Sequence, residues 1–177
     1  LEIKKVIKKN INGISKLSKE RLIDELKKLI KSNKFINICD DEFCKEILIL
    51  IFPQIKNIKI LKKLKSNYKN ELLKKDFIFI LSLLIIDETD NSEFFLYKYN
   101  MSNEAKKRIN FLKDIYDKSN DKDTFSKNNL QKIFYFQGKS YLLDVIDFQL
   151  FRSNKKNNKL VELKKYFEKL EKPNFPI

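Results

Sequence analysis

Apolar residues recur at helical spacing along almost all of this 177-residue chain, and that rhythm limits the fold more than any other feature. In residues 17–32, Leu22, Ile23, Leu26, Leu29 and Ile30 fall on one side of a helix, with charged residues around the rest. A recurrence of three to four residues marks an amphipathic helix. Ser18 stands where a hydroxyl takes up an orphan N–H, and Glu20 follows near the positive end of the helix dipole. The same spacing predicts helices near 2–10, 18–32, 40–52, 55–66, 76–87, 91–99, 102–118, 126–137, 138–152 and 156–171. Pro53 and the polar stretches 66–70, 87–92 and 119–125 punctuate them. No Asn-Gly or Asp-Gly pair lies between alternating strands, so hairpins are not expected. No fixed internal period marks a repeat array. The run "FIFILSLLII" at 77–86 is apolar on every side. Periodicity alone fits it to a buried strand or a buried helix, and its helical neighbours favour the helix. The expected fold is all-α, an irregular bundle of about eight to ten helices.

Absences narrow the chemistry. The chain has no His, which removes imidazole acid–base catalysis, Ser-His-Asp triads and His metal ligation within it. Its two glycines, Gly13 and Gly138, are too few for a phosphate-cradling loop. Cys39 and Cys44, five apart and without a histidine, read as two reduced, buried thiols and not as a zinc site. The apolar run at 77–86 falls short of the ~20 residues that span a bilayer. No N-terminal segment combines a basic start, an apolar stretch and a small-residue cleavage site, so a cytoplasmic location is expected. The first residue is Leu1 and the only Met is Met101, as expected of a piece cut from something longer.

The carboxylates offer little. Asp121 and Asp123 have the i, i+2 spacing of a metal-binding pair, but they sit in a polar loop with no preceding strand. The same loop mimics a calcium loop through Asp117, Ser119, Asp121 and Asp123. It fails with Lys122 where the turn needs Gly and Asn128 where a bidentate Glu belongs. Asp40, Asp41 and Glu42 sit at a helix start, where capping explains them. "LSLLIIDETDN" at 81–91 resembles the core helix of HD-type phosphohydrolases, but Ile86 replaces the metal-binding His before Asp87.

Charge placement says more. The formal net charge is +14. Of the basic residues only Arg21, Arg108 and Arg152 are Arg, and the abundance of Lys, Asn and Ile is what an AT-rich genome produces. Total charge is therefore weak evidence, and distribution decides. From Pro53 to Asn70 there are lysines at 56, 59, 62, 63, 65 and 69 and no acid. On an ideal helix Lys56, Lys59, Lys62 and Lys63 share an arc of roughly 120°, with Ile58, Leu61 and Leu64 pointing inward. A one-sign stripe suits a phosphate track. A second acid-free stretch, 149–161, carries Arg152, Lys155, Lys156 and Lys159.

"SKERLIDELKKLI" resembles the Ser-x-Glu-Arg-Ile-x-x-Glu-Leu neck helix of class II tRNA nucleotidyltransferases, the CCA-adding enzymes, and their bacterial poly(A) polymerase relatives. The likeness continues in order through "IFPQIKNIKILKKL" (51–64), "LSLLIID" (81–87), "YNMSNEAKKRI" (99–109), "GKSYLLDVI" (138–146) and "KPNFPI" (172–177). The resemblance implies neck helices at 1–35 and a helical body with the start of a tail at 36–177. It puts Glu20, Arg21 and Glu25 at the polar positions of the neck motif that supports the nucleotide pocket. It implies a grip on the acceptor and T-arm end of tRNA. Catalysis, with Mg²⁺ and ATP or CTP, belongs in that family to an N-terminal head whose Gly-rich strand and DxD pair are not in this sequence. The residues leave open whether the parent adds CCA, A alone or poly(A). The reading from another class is a helical protein-interaction module with no RNA role.

Overall fold

The computed structural model describes residues 2–153 and 157–171, and every regular element among them is helical. They are α1 (Glu2–Asn10), α2 (Lys19–Lys31), α3 (Glu42–Ile51), α4 (Ile60–Asn67), α5 (Lys69–Leu73), α6 (Phe77–Ile85), α7 (Asn91–Lys98), α8 (Asn103–Asp117), α9 (Lys127–Gln137), α10 (Lys139–Arg152) and α11 (Asn158–Lys169). Two 3₁₀ segments, Ile11–Lys16 and Phe35–Asp40, precede α2 and α3. The all-α expectation holds. The chain divides into two compact units, 1–109 and 110–177.

The first unit is built around α6. All of its residues except Ile78 are buried. α2 and α7 pack against it, and Leu26 and Ile30 of α2 and Phe95 of α7 are fully or almost fully buried, as are Leu61 and Leu64 of α4. A helix enclosed on all sides must find partners for its terminal backbone groups, because burying them unpaired costs about 1–3 kcal/mol each. At the N-terminal end the Asp76 carboxylate accepts the Phe79 N–H at 2.9 Å. At the C-terminal end Leu84 C=O accepts the Asn57 N–H at 3.1 Å. Ile86 C=O accepts Asn57 Nδ2 and Ile85 C=O accepts Asn91 Nδ2, each at 2.6 Å. The Asn91 amide also donates to Gln54 C=O at 2.8 Å, tying 54–57 to the start of α7.

These bonds correct the expected helix at 55–66. Residues 52–59 instead form tight turns, including Ile55 N–H to Phe52 C=O at 2.9 Å, and α4 begins only at Ile60. Holding Asn57 against the end of α6 prevents the backbone from helicising through it. The expected break at 66–70 is also narrower. Tyr68 (φ −139°, ψ 23°) kinks the chain between α4 and the short α5, a helix that begins within the stretch expected as a polar break. Cys39 is buried as expected, whereas Cys44 is exposed. Asp41 caps α3 by accepting the Cys44 N–H, which puts Cys44 in the exposed first turn. Among the described residues no cluster of Cys, Asp and Glu could hold a metal, and no helix is long and apolar enough to cross a membrane.

In the second unit α10 packs against both α9 and α11. Gly138 alone separates α9 from α10. Its N–H closes α9 on Phe134 C=O and its C=O accepts the Leu142 N–H. At φ 91° and ψ 170° it occupies a conformation that side chains other than glycine's rarely tolerate. Asp147 is buried on α10 and is paired with Lys164 of α11 at 2.6 Å.

Two substitutions test these joints. Asn91→Ala should cost about 1–3 kcal/mol by orphaning buried carbonyls. Gly138→Ala should cost a similar amount, about 1–3 kcal/mol, through backbone strain alone, since a Cβ there meets nothing within 4 Å. Thermal melts followed by circular dichroism should show each loss, and an unchanged Asn91→Ala melt would contradict the capping role.

Candidate nucleic-acid interface

The neck-motif residues lie on the exposed side of α2. Ser18 caps the helix, its hydroxyl accepting the Arg21 N–H at 3.2 Å. Glu20, Arg21 and Glu25 are all solvent-exposed. Glu25 pairs with Lys28 at 2.8 Å, and that hydrogen bond holds its carboxyl below the ordinary carboxylate value. None of the three side chains is part of the core.

The lysine stretch is less uniform in space than in sequence. Lys56 lies in the turns before α4 and faces Asp87 at 3.5 Å. The Asp87 carboxyl is pushed up by burial, but hydrogen bonds from Thr89 and the charge of Lys56 outweigh this and hold it low. Lys65 is hydrogen-bonded to Asp40, which lies in the 3₁₀ segment packed against α4. That bond, more than any other influence, holds the Asp40 carboxyl below its usual value, and Lys62 adds to the effect from a distance. Lys63 is half-buried, and loss of water lowers its pKa. The idealised arc of Lys56, Lys59, Lys62 and Lys63 therefore breaks up, because Lys56 is off the helix and Lys63 is partly withdrawn from solvent. Lys59 and Lys62 remain exposed, with no carboxylate within salt-bridge distance among the described residues.

In the second unit, Arg152 ends α10 with its guanidinium 4.5 Å from the Tyr116 ring and 5.4 Å from Phe148. It also donates to the Tyr116 hydroxyl at 3.3 Å. This half-buried stacking uses the arginine to close an aromatic cluster. Lys159 is exposed on α11, while Lys155 and Lys156 lie outside the described residues.

Sequence reasoning missed a groove in the first unit. Lys27 and Lys31, one turn apart on α2, face Asp76, Ser102, Glu104 and Arg108 around a space of about 310 Å³. Arg108 is fixed there by Asp76 at 2.7 Å. The helical spacing of Lys27 and Lys31 was visible in the sequence, but the partner helix that completes the groove was not. Elsewhere in this unit Ile11, Leu17, Leu50, Ile51 and Tyr99 line an apolar groove of about 460 Å³ with Lys19 and Lys98.

Residues 1–59 match the family model described as the probable RNA and SrmB-binding site of polymerase A. The matched segment contains α1 to α3, the neck-motif residues, Lys56 and Lys59. No curated protein and no solved structure gives a match.

Asp76 links this region to acid stability. Burial raises its pKa, but the Phe79 N–H and the Arg108 guanidinium outweigh burial and hold it below the ordinary 3.8. A carboxyl lowered by folding stabilises fully above its unfolded value and loses that contribution as pH falls toward its folded value. Stability should therefore decline below about pH 4, and more shallowly in Asp76→Asn, measured by chemical denaturation across pH 2.5–6. An identical acid profile in the variant would contradict the assignment.

Proposed function

We propose that this chain is the RNA-gripping helical region of a tRNA nucleotidyltransferase or poly(A) polymerase-like enzyme. The observation that carries the reading is the match of residues 1–59 to an RNA-binding region of polymerase A. The exposed Lys59 at the end of that segment and Lys62 just beyond it supply cations for phosphates. Lysines without Arg-type base readout suit A-form RNA, which is recognised mainly by shape, phosphate and 2′-OH contacts. We assign the grip to the acceptor and T-arm end of a tRNA in the cytoplasm. Nucleotide addition, with Mg²⁺ and ATP or CTP, falls to a catalytic head of the same polypeptide that Glu20, Arg21 and Glu25 face.

A second reading rests on the apolar groove. Leu50 is 52% exposed beside it, next to the exposed Leu17 and Ile49. The matched model's description also names a protein, SrmB. Under this reading the groove takes a protein partner, and Leu50→Lys abolishes that contact while leaving RNA affinity unchanged.

The primary test is binding of a tRNA at several salt concentrations. Each neutralised phosphate contributes roughly 0.7–0.9 to the slope of log K against log salt. Lys59→Gln/Lys62→Gln preserves helix propensity and should flatten that slope by about 1.5 units. Lys56→Gln and Lys63→Gln should each change it less, because one is ion-paired and the other half-buried. A double variant with unchanged affinity and slope would remove these lysines from the interface.

A further inference from the structure

We infer that the groove between α2, α6 and α8 in the first unit is a second phosphate subsite, one that takes the phosphodiester backbone of RNA; this rests on the RNA-gripping reading above. Nothing in the match of residues 1–59 assigns it, because two of its three walls lie beyond that segment.

Three cations from two helices converge here. Lys27 and Lys31 come from α2, and Arg108 from the second turn of α8. Arg108 is one of only three arginines in a chain rich in lysine. Its side chain is only 20% exposed and its Nη1 is held at 2.7 Å by Asp76, so the guanidinium is oriented in advance. A guanidinium fixed in this way keeps a permanent positive charge at a set place in the groove.

The two acids at the groove do not cancel this field equally. Asp76 is already engaged by Arg108 and by the Phe79 N–H. Glu104 offsets one further charge. Lys27 and Lys31 have no carboxylate partner among the described residues, whereas their neighbour Lys28 is paired with Glu25 on the same helix. Exposed, unpaired ammonium groups beside a fixed guanidinium favour an external anion. The space of about 310 Å³ is at the small end of ligand sites and opens onto the helix that carries the neck motif. A backbone phosphate seated there sits on the same helix as Glu20, Arg21 and Glu25.

The test compares Lys27→Gln/Lys31→Gln with Lys28→Gln in the full chain, using a fluorescent RNA duplex of defined sequence. Thermal melts check that each variant folds, as expected for exposed positions. The double variant should bind roughly tenfold more weakly near 0.1 M salt, with a slope flatter by about 1.5 units. Lys28→Gln should bind like the unmodified protein. Equal losses in both variants would reduce the effect to general charge and overturn the subsite. Unchanged duplex binding in the double variant would overturn it while leaving the broader RNA reading intact. An unmodified protein that binds no RNA overturns both. Calorimetric titration with ATP separates the sources of phosphate: ATP binding lost in the double variant, with duplex affinity unchanged, would reassign the groove to free nucleotide.

Discussion

The first unit depends on how a helix with no solvent face disposes of its backbone ends. Nearly every side chain of α6 is buried, so its last carbonyls have no access to water. Asn57 and Asn91 take them up, one from nearly thirty residues before those carbonyls and the other from a few residues after them. Asp76 does the same for an N–H at the other end. These side chains do more than satisfy hydrogen bonds. Asn57 draws residues 53–59 against the end of α6, Asn91 anchors α7 to the same place, and Asp76 orients Arg108 of α8. The packing of one apolar helix therefore fixes where the polar and basic groups around it stand.

That arrangement turns a plain lysine count into a pattern. The segment pinned by Asn57 carries Lys56 toward Asp87 and leaves Lys59 facing solvent. Asp40 neutralises Lys65 from the neighbouring 3₁₀ segment. Lys59 and Lys62 near α4, and Lys27 and Lys31 on α2 beside the fixed Arg108, stay exposed, with no carboxylate within salt-bridge distance among the described residues. Phosphate contacts of this kind position an RNA without reading its sequence. Under the proposed function, these cations hold the RNA and the chemistry falls to the catalytic head.

Much of this was legible from residue order. The helical rhythm placed α2, α6, α8, α9 and α10 to within a residue or two, because each has an apolar stripe or run bounded by a capping residue such as Ser18, Asp76 or Ser126, or by Gly138. The start of α4 was not legible, since what delays it is Asn57 bonding to carbonyls near residue 85, a contact with no local signature. The charge arc failed for the same reason. The stretch 53–70 contains no acid, yet Asp40 and Asp87 approach it through the fold. Arg152 read as part of a basic stretch, and its stacking on Tyr116 and Phe148 follows from the packing of aromatics far apart in the chain. The neck motif was visible as a pattern, whereas the groove behind it required α8 to be folded against α2.

The proposed function has this fold grip RNA through its phosphates and shape, with no dependence on base sequence. The most direct measurement is the affinity of the unmodified protein for two RNA duplexes of equal length and unrelated sequence, titrated from low to physiological salt. The expected result is a common dissociation constant at each salt concentration, and two parallel lines of log K against log salt with a slope of several units. Binding that ignores salt, or that separates the two duplexes by more than about tenfold, a difference of the size that base-specific contacts give, would contradict it.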